Sequence, residues 1–407
     1  MTTLQERPAR PIVRAIADAA RRWTDADFPA RVRVLARIVE RTGYGEPVVE
    51  YALDRLFESI TQDALLAVIE SELGDIGALD GFASRRGRPR ARALPIGAVA
   101  VISSRTTIGV AILPAILALC AKNDVTVKDR EDGLAAAFFA TLAQEDLAFA
   151  SAARAHPWDG AQAEPSLAGF DAVVAFGSDA TLAEIRARCA PSATFIGFGA
   201  KASIGYVTRD ALADVTRAEG VANGAARDLV LYDSQGCLSL HALFVERGAA
   251  TSPERFVALL AAHVERAAVE FPLGQRTVKD LGALASARAM ATFHAASGGG
   301  AAFYDEGGSY LLELDPPQTD LPFFLPRALP IHTVGGPNEV AAYLARHRLS
   351  VEALATDRTR EDIVTMAAQA GIARIARFGD LQSPLLAANH GGRARIGEFV
   401  RWMTDET

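Results

Sequence analysis

From Leu94 onward, short runs rich in β-branched residues alternate with segments of helical character. The first run, Gly97–Ile102, predicts a buried strand, and a helix is expected near Val110 to Ala121. The alternation continues through strands at Val125–Lys128, Ala172–Phe176 and Thr194–Ile196, with helices at Gly133–Ala143 and from Asp179 to about Cys189. Parallel strands need crossover connections, and helices are the usual ones. The order therefore predicts an α/β fold with a parallel sheet.

This alternation is typical of a Rossmann-type dinucleotide domain, although no GxGxxG sequence is present. Helical spacing of apolar residues from Phe28 to Leu73, broken at Gly43 and Gly45, predicts a helical front. At about 150 residues per domain, a chain of 407 residues has room for two or three domains. We expect a helical region at 1–93, a dinucleotide-binding domain at 94–225, a catalytic domain at 226–385 and a C-terminal segment at 386–407 with a helix ending near Trp402.

Composition excludes several classes of function. Lys and Arg total 42 against 49 Asp and Glu, so a net charge of −7 argues against nucleic acid as a partner. Three scattered cysteines predict neither a disulfide framework nor a metal site, and they favour a reducing, cytoplasmic location. Residues 1–22 lack the apolar core of a signal peptide. The most apolar window, Val99–Cys120, contains Arg105 and Pro114, which argues against a membrane span.

Cys237 is the candidate nucleophile. It lies in the sequence Ser234-Gln-Gly-Cys-Leu-Ser239, a predicted turn that presents the sulfur beside free backbone N–H groups, where a thiolate is stabilised. The competing interpretation is a small buried apolar cysteine, which we assign to Cys120 and Cys189. His241 would share a helical face with Cys237 and suggest a Cys–His hydrolase, but Leu240 to Val245 has the pattern of a strand.

The order of these features resembles the aldehyde dehydrogenase superfamily: a strand ending at Lys128, the Gly177-Ser178 loop, the loop Gly199–Ser203 and the segment Gln235–Cys237. Within it, the segments that resemble the LuxC-type fatty acyl-CoA reductases are Val174–Asp179, Ala226–Ser239, Asn389–Arg393 and Arg401-Trp402. The likeness extends from about Leu94 to the C-terminus. The resemblance implies an aldehyde dehydrogenase-like fold, with a nicotinamide domain and an α/β catalytic domain meeting at a cleft that holds Cys237.

The resemblance also implies a reaction. Cys237 would attack an acyl-CoA or acyl-protein thioester and expel the thiol, leaving an acyl-cysteine. Hydride from a reduced nicotinamide would then give a thiohemiacetal that collapses to the free aldehyde. The protein would act as an oligomer of identical chains, with a further protein as a possible acyl donor or acceptor.

Two positions depart from the superfamily pattern. Gly197 stands where the hydrolytic enzymes carry a general-base Glu, and general-base help is worth about 10²- to 10⁴-fold, so hydrolysis of the acyl-enzyme should be slow. Arg105 stands where an Asn usually donates to the oxyanion. The guanidinium would donate to the oxyanion or to a substrate phosphate, or it would turn outward, or catalysis would be impaired.

The cofactor site implied by the resemblance consists of Lys128 on the adenosine ribose and of Gly177 and Ser178 at the pyrophosphate. Arg130 would pair with a 2′-phosphate, whereas Glu131 would accept from a ribose hydroxyl. Family likeness favours NADPH, with NADH as the alternative. Two other functions stay open at this stage: a non-reducing acyl-binding or assembly subunit, and a cysteine acyltransferase or thioesterase.

Overall fold

The computed structural model describes residues 3–85, 88–104, 106–129, 133–157, 166–317 and 325–407. Its contacts divide the chain into two units. Unit 1 comprises Met1–Thr42, Val49–Ala200 and Leu385–Thr407, and unit 2 comprises Gly43–Val48 and Lys201–Pro384.

Four helices form the front of the chain, as predicted: Ala9–Trp23 (α1), Pro29–Thr42 (α2), Glu46–Glu58 (α3) and Gln62–Leu73 (α4). Gly43 separates α2 from α3 with a φ of +74°, a conformation that costs glycine little. Trp23 at the end of α1 anchors the front, because its ring stacks on Phe57 at 4.9 Å and its Nε1–H donates to Thr141 Oγ1 at 3.1 Å.

Unit 1 contains a parallel sheet of five strands, Ala98–Ile102 (β3), Asp124–Asp129 (β4), Ala153–Pro157 (β5), Ala172–Phe176 (β6) and Thr194–Phe198 (β7). Its helices are Ile112–Cys120 (α5), Leu134–Glu145 (α6), Phe149–Ala152 (α7) and Asp179–Ala187 (α8). The strand order is β5-β4-β3-β6-β7. The strands that follow β3 in the sequence are therefore added first on one side of it and then, from β6 onward, on the other. Ligands of open parallel sheets bind at such a switch point, outside the carboxyl ends of the strands.

The prediction of a helix that ends near Trp402 is wrong. Val400–Asp405 forms a strand (β15) that pairs antiparallel with Arg88–Pro95 (β2), and β2 also pairs with Ala83–Arg85 (β1). Trp402 lies opposite Ala93 in this ladder. A segment of six residues is too short for its periodicity to separate helix from strand, so the partner strand decides its conformation.

Unit 2 contains a sheet of seven strands, Ala202–Val207 (β8), Leu240–Glu246 (β9), Ala301–Phe303 (β10), Leu311–Leu314 (β11), Ala328–Val334 (β12), Val351–Thr356 (β13) and Arg374–Ala376 (β14). Its helices are Val215–Val230 (α9), Pro253–Glu270 (α10), Val278–Ala296 (α11), Pro337–His347 (α12) and Glu361–Gln369 (α13). The strand order is β10-β11-β12-β9-β8-β13-β14, and only the β10–β11 pair is antiparallel among these neighbours.

The division between the units falls at Lys201, whereas the domain boundary expected from the sequence lies at Ala226. The reason is β8, which pairs with β9 on one side and β13 on the other and so belongs to the second sheet. Ala226 lies inside α9, whose carboxyl end leads to the loop of Cys237. The predicted strand at Ala242–Val245 is confirmed as part of β9.

Gly224 on α9 allows a close backbone approach that fixes this helix. A Cβ there would lie 2.5 Å from the carbonyl oxygen of Phe378, whereas a Cβ at Gly220 on the same helix would meet nothing within 4 Å. We therefore expect Gly224→Ala to destabilise the protein by about 1–3 kcal/mol through overpacking. Gly220→Ala should be neutral or stabilise by up to about 1 kcal/mol, because alanine favours helix. Urea unfolding of the two variants tests this, and equal midpoints would contradict it.

Candidate active site

The loop of Cys237 connects α9 to β9. A turn, Leu231–Ser234, follows α9, and the chain then passes through Gln235, Gly236 and Cys237 before β9 begins at Leu240. Every residue of β9 is buried, so the strand is fixed by packing on both faces. The loop is therefore held between a buried strand and a closely packed helix.

Three consecutive residues before the loop have left-handed backbone conformations. Tyr232, Asp233 and Ser234 have φ angles of 56°, 50° and 58°, and none of them is glycine. Each such residue costs on the order of 1–3 kcal/mol, and this strain persists only where surrounding contacts impose it. Ser234 Oγ donates to the carbonyl oxygen of Leu229 at 3.1 Å, and the N–H of Gln235 donates to that of Tyr232 at 2.9 Å.

The main contact that imposes this conformation is an ion pair with no solvent exposure. Arg327 Nε donates to Asp233 Oδ1 at 2.7 Å, and Arg276 pairs with the other carboxylate oxygen, Oδ2. Arg327 also donates to the carbonyl oxygen of Phe271 at 2.6 Å. Burial lowers the pKa of Arg327 to about 10, which leaves it charged at neutral pH. The turn before Cys237 is thus held by a carboxylate between two guanidinium groups.

Cys237 itself is held by Ser203 at the start of β8, whose hydroxyl donates to the Cys237 carbonyl oxygen at 2.8 Å. Burial raises the pKa of the Cys237 thiol to about 11, and the charge of Glu352 adds to the rise. Lys201 and the backbone N–H groups of Cys237 and Leu238 act in the opposite direction. The backbone N–H groups therefore favour the thiolate, but desolvation outweighs them.

Glu352 and Lys201 form an ion pair at the amino ends of β13 and β8. Lys201 Nζ lies 2.8 Å from Glu352 Oε2, and the Glu352 side chain is 8% exposed. Glu352 is the extra residue of a bulge, because Val351 pairs with Ala202 and the next pair is Ala353 with Ser203. No motif in the sequence marks Glu352 as a site residue; its only signal is a charge inside the apolar run of residues 351–355.

His241 is not a partner of Cys237 on a helix. It lies in β9, where the N–H of Ser203 donates to its Nδ1 at 3.2 Å and its Nε2 lies 3.1 Å from the carbonyl oxygen of Ser234. Burial lowers the pKa of His241 to about 4. Both ring nitrogens are occupied by backbone groups, so the geometry gives no support to a Cys–His hydrolase.

The predicted cofactor residues of unit 1 lie at the carboxyl ends of β4 and β6, the two parallel strands that flank β3. Lys128 is half-buried in β4 and pairs in register with Ile102, the last residue of β3. Gly177 and Ser178 follow β6, on the other side of β3. Arg105 and Arg130 lie outside the described residues.

The helix after Gly177 is already capped. Ser178 Oγ accepts the N–H of Thr181 at 3.2 Å, and Asp179 adds a carboxylate to the first turn of α8. The negative charge does not favour a pyrophosphate at this terminus. The residues nevertheless fit a nicotinamide dinucleotide through the switch point beside β3 and the lysine at the end of β4.

The closing motif of the sequence, Asn389–Arg393, has a structural explanation. His390 and Arg393 exchange backbone hydrogen bonds, and Gly391 and Gly392 between them have φ angles of 59° and 77°. A turn with two positive φ angles favours glycine at both positions. The ring of His390 stacks on Phe198 with centroids 4.0 Å apart.

Neither a membrane span nor a metal site is found in the described part of the chain. No helix there combines the length and apolar character that crossing a membrane requires. No three side chains of His, Cys, Asp or Glu in those residues form a group that could hold a metal ion.

The ion pair beside Cys237 predicts opposite effects of its two members on the thiol. Glu352→Gln removes the charge that raises the Cys237 pKa and should lower it, whereas Lys201→Met should raise it. Each unit of fall in the pKa increases the thiolate tenfold and, after the loss of intrinsic nucleophilicity, the alkylation rate about threefold. The rate of Cys237 carbamidomethylation at pH 8, followed by mass spectrometry, should therefore rise in Glu352→Gln and fall in Lys201→Met.

Glu339→Gln is the matched control for this experiment, since Glu339 pairs with Arg247 at 2.8 Å and is not among the charges that act on the thiol. Its alkylation rate should equal that of the wild type. Changes of the same sign in Glu352→Gln and Lys201→Met would contradict the electrostatic assignment.

Comparison with solved structures confirms the predicted fold. The NAD-dependent benzaldehyde dehydrogenase of Corynebacterium glutamicum is 16% identical with a TM-score of 0.70, covering 98% of this chain and 85% of that chain. The glyceraldehyde-3-phosphate dehydrogenase GapN of Methanocaldococcus jannaschii, solved with NADP, is 12% identical with a TM-score of 0.70, covering 99% and 90%. Proline utilization A of Bradyrhizobium japonicum is 16% identical with a TM-score of 0.71, covering 99% of this chain.

The chain spans only 43% of the length of proline utilization A, and identities this low establish the fold alone. Comparison with curated proteins gives no match. The profile of the acyl-CoA reductase (LuxC) family, in contrast, matches residues 4–402 of the 407. This match covers the helical front, the dinucleotide-type sheet and the Cys237 loop together. The chain belongs to the acyl-CoA reductase (LuxC) family, whose activity is the reduction of an acyl thioester to an aldehyde.

Proposed function

We propose that this chain reduces the acyl group of an acyl-CoA or acyl-protein thioester to an aldehyde, with Cys237 as the nucleophile that carries the acyl group. The observation that carries the proposal is the Cys237 loop within a chain that matches the acyl-CoA reductase family over almost its full length. Of the other cysteines, Cys120 is fully buried and Cys189 donates its S–H to the carbonyl oxygen of Ile185 inside unit 1. The Lys201–Glu352 pair and backbone N–H groups act on the Cys237 sulfur, whereas Arg186 and Arg188 act on that of Cys189.

The first step transfers the acyl group to the protein. The Cys237 thiol gives up its proton, its sulfur forms a bond to the acyl carbon, and the bond from that carbon to the donor thiol breaks. The proton leaves with the donor thiol, so charge is conserved over the step. Because the resting thiol has a raised pKa, its deprotonation is part of the barrier. Lys201 stabilises the thiolate while it exists, and the backbone N–H groups of Cys237 and Leu238 do the same.

The second step needs a reductant. When bound, a reduced nicotinamide supplies the hydride that converts the acyl-cysteine to the aldehyde level. Lys128, Gly177 and Ser178 are the residues proposed to hold the dinucleotide, through the ends of β4 and β6. NADPH is the proposed form, with Arg130 on its 2′-phosphate, and Arg105 is proposed to donate to the acyl oxygen or to a donor phosphate.

Gly197 is proposed to protect the acyl-cysteine from water, because no carboxylate stands at that position of β7. A Cβ at Gly197 would lie 2.9 Å from the ring of Phe195 and 3.3 Å from Leu182, so a larger side chain requires both neighbours to move. The lack of room for a side chain and the need to keep a carboxylate away both favour glycine at position 197.

The direct test of the activity mixes purified protein with acyl-CoAs of different chain lengths and either NADPH or NADH, and follows cofactor absorbance and aldehyde together. Aldehyde formed in step with cofactor oxidation supports the proposal. Cofactor-independent release of the acyl group indicates a transferase or thioesterase, and acyl binding without reaction indicates an assembly subunit. Light scattering of the same sample tests the proposed oligomer of identical chains, and an acyl-protein in place of acyl-CoA tests a protein donor.

Cys237→Ala should abolish acyl transfer, because no other side chain replaces the nucleophile. Incubation with an acyl-CoA in the absence of cofactor should place one acyl group on the Cys237 peptide of the wild type, as detected by mass spectrometry, and none on the variant. Cys189→Ala is the matched control and should acylate normally. Reductase activity in Cys237→Ala at the wild-type rate would refute the assignment.

The acyl-enzyme formed without cofactor should persist, since no carboxylate at position 197 activates water. Added NADPH or a small thiol should discharge it, and the ratio of discharge to hydrolysis should be at least about 10². Quenched samples analysed by intact-protein mass spectrometry give both rates. Hydrolysis as fast as discharge by NADPH would refute the role proposed for Gly197.

A further inference from the structure

His241 is a buried residue that the two-step reaction does not use. It is 3% exposed and is the extra residue of a bulge in β9, because Leu240 pairs with Ser203 and the next pair is Ala242 with Ile204. A bulge changes the direction in which a side chain points. Here it turns the imidazole toward two backbone groups instead of leaving it in the regular alternation of the strand.

The hydrogen bonds of His241 determine its tautomer. The N–H of Ser203 donates to Nδ1 at 3.2 Å, so Nδ1 carries no proton. The neutral ring then has its proton on Nε2, which donates to the carbonyl oxygen of Ser234 at 3.1 Å. Burial lowers the pKa of His241 to about 4, and the ring is neutral throughout the physiological range.

These two bonds join the turn before Cys237, at Ser234, to strand β8, at Ser203. Ser234 is the last of the three strained residues before the loop, and Ser203 is the residue whose hydroxyl holds the Cys237 carbonyl oxygen at 2.8 Å. The imidazole therefore links the turn on one side of Cys237 to the strand that holds Cys237 on the other. Without it, Ser203 and Ser234 would each lose a backbone hydrogen bond.

We propose that His241 is the positioning residue of Cys237: as a neutral donor and acceptor it fixes the distance between Ser234 and Ser203 and so the orientation of the sulfur toward the acyl carbon. The proposal rests on the proposed role of Cys237 as nucleophile. His241 takes no proton from the thiol, because both of its nitrogens are engaged by backbone groups. A displacement of about 1 Å at a nucleophile costs on the order of 10² in rate, which sets the size of the expected effect.

Three substitutions separate the two hydrogen bonds. His241→Leu removes both at similar volume, His241→Asn keeps an acceptor near the position of Nδ1, and His241→Gln keeps a donor near that of Nε2. His332→Leu is the matched control, since His332 is a half-buried histidine in β12 of the same sheet and burial also lowers its pKa to about 4. The control measures how far replacing an imidazole by leucine, in the same sheet but away from the Cys237 loop, changes stability and the acylation rate.

The measurements are the rate of Cys237 acylation by an acyl-CoA without cofactor, the kcat and KM of reduction, and the urea midpoint. We expect His241→Leu to slow acylation about 10- to 100-fold, with the acyl-CoA KM within about twofold of wild type. His241→Asn and His241→Gln should each recover part of the rate. His332→Leu should acylate within about twofold of wild type whatever its urea midpoint.

Several results would overturn the proposal. Acylation of His241→Leu at the wild-type rate would do so, as would equal slowing in His332→Leu or in all three His241 variants. In His241→Leu, the pH profile of the acylation rate from pH 6 to 9 should keep its shape while the rate falls at every pH, because Glu352, Lys201 and the thiol remain. Loss of the acid limb of this profile would identify His241 as a base and overturn the positioning role. A wild-type protein that takes up no acyl group would refute the nucleophile and this proposal together, whereas normal wild-type acylation with an equally fast His241→Leu would refute this proposal alone.

Discussion

The buried contact between Asp233 and Arg327 is the interaction on which the candidate site depends. Three residues in succession have backbone conformations that only glycine adopts without cost, and they precede the cysteine by a few positions. Breaking a buried ion pair by removing one partner costs about 3–5 kcal/mol, which is of the size needed to hold such a turn. Part of the free energy that the pair contributes to folding therefore offsets the strain of the turn that leads into the Cys237 loop.

The second constraint is the irregular register around β8. Both of its neighbours carry an extra residue next to the one that pairs with Ser203: Glu352 on β13 and His241 on β9. One bulge places a carboxylate where its charge acts on the thiol, and the other places a neutral imidazole against two backbone groups. Both β9 and β13 are buried along their whole length, where a charged or polar side chain is costly without a partner. The two bulges give Glu352 and His241 the partners that they need.

The resting state that results is a protonated thiol. Desolvation raises the pKa of Cys237 more than Lys201 and the backbone N–H groups lower it. A cysteine with a raised pKa reacts slowly with oxidants and unrelated electrophiles, because the thiolate is the reactive species. In the proposed reaction, the preference of Cys237 for an acyl thioester over other electrophiles therefore depends on the bound thioester and its surroundings as well as on the sulfur.

The sequence by itself determined the class of fold, the family and the candidate nucleophile. Strand and helix periodicity along residues 94–198 and the motif around Cys237 are local signals, and they suffice for the parallel sheet of unit 1 and for the acyl-CoA reductase family. The tertiary structure decided the strand at Val400–Asp405, the raised pKa of Cys237 and the contacts of Glu352, His241 and Arg327. A strand of six residues takes its conformation from its partner, a pKa depends on burial, and ion pairs join residues as far apart as Asp233 and Arg327. Each of these quantities depends on contacts that are distant in sequence, so no local pattern encodes them.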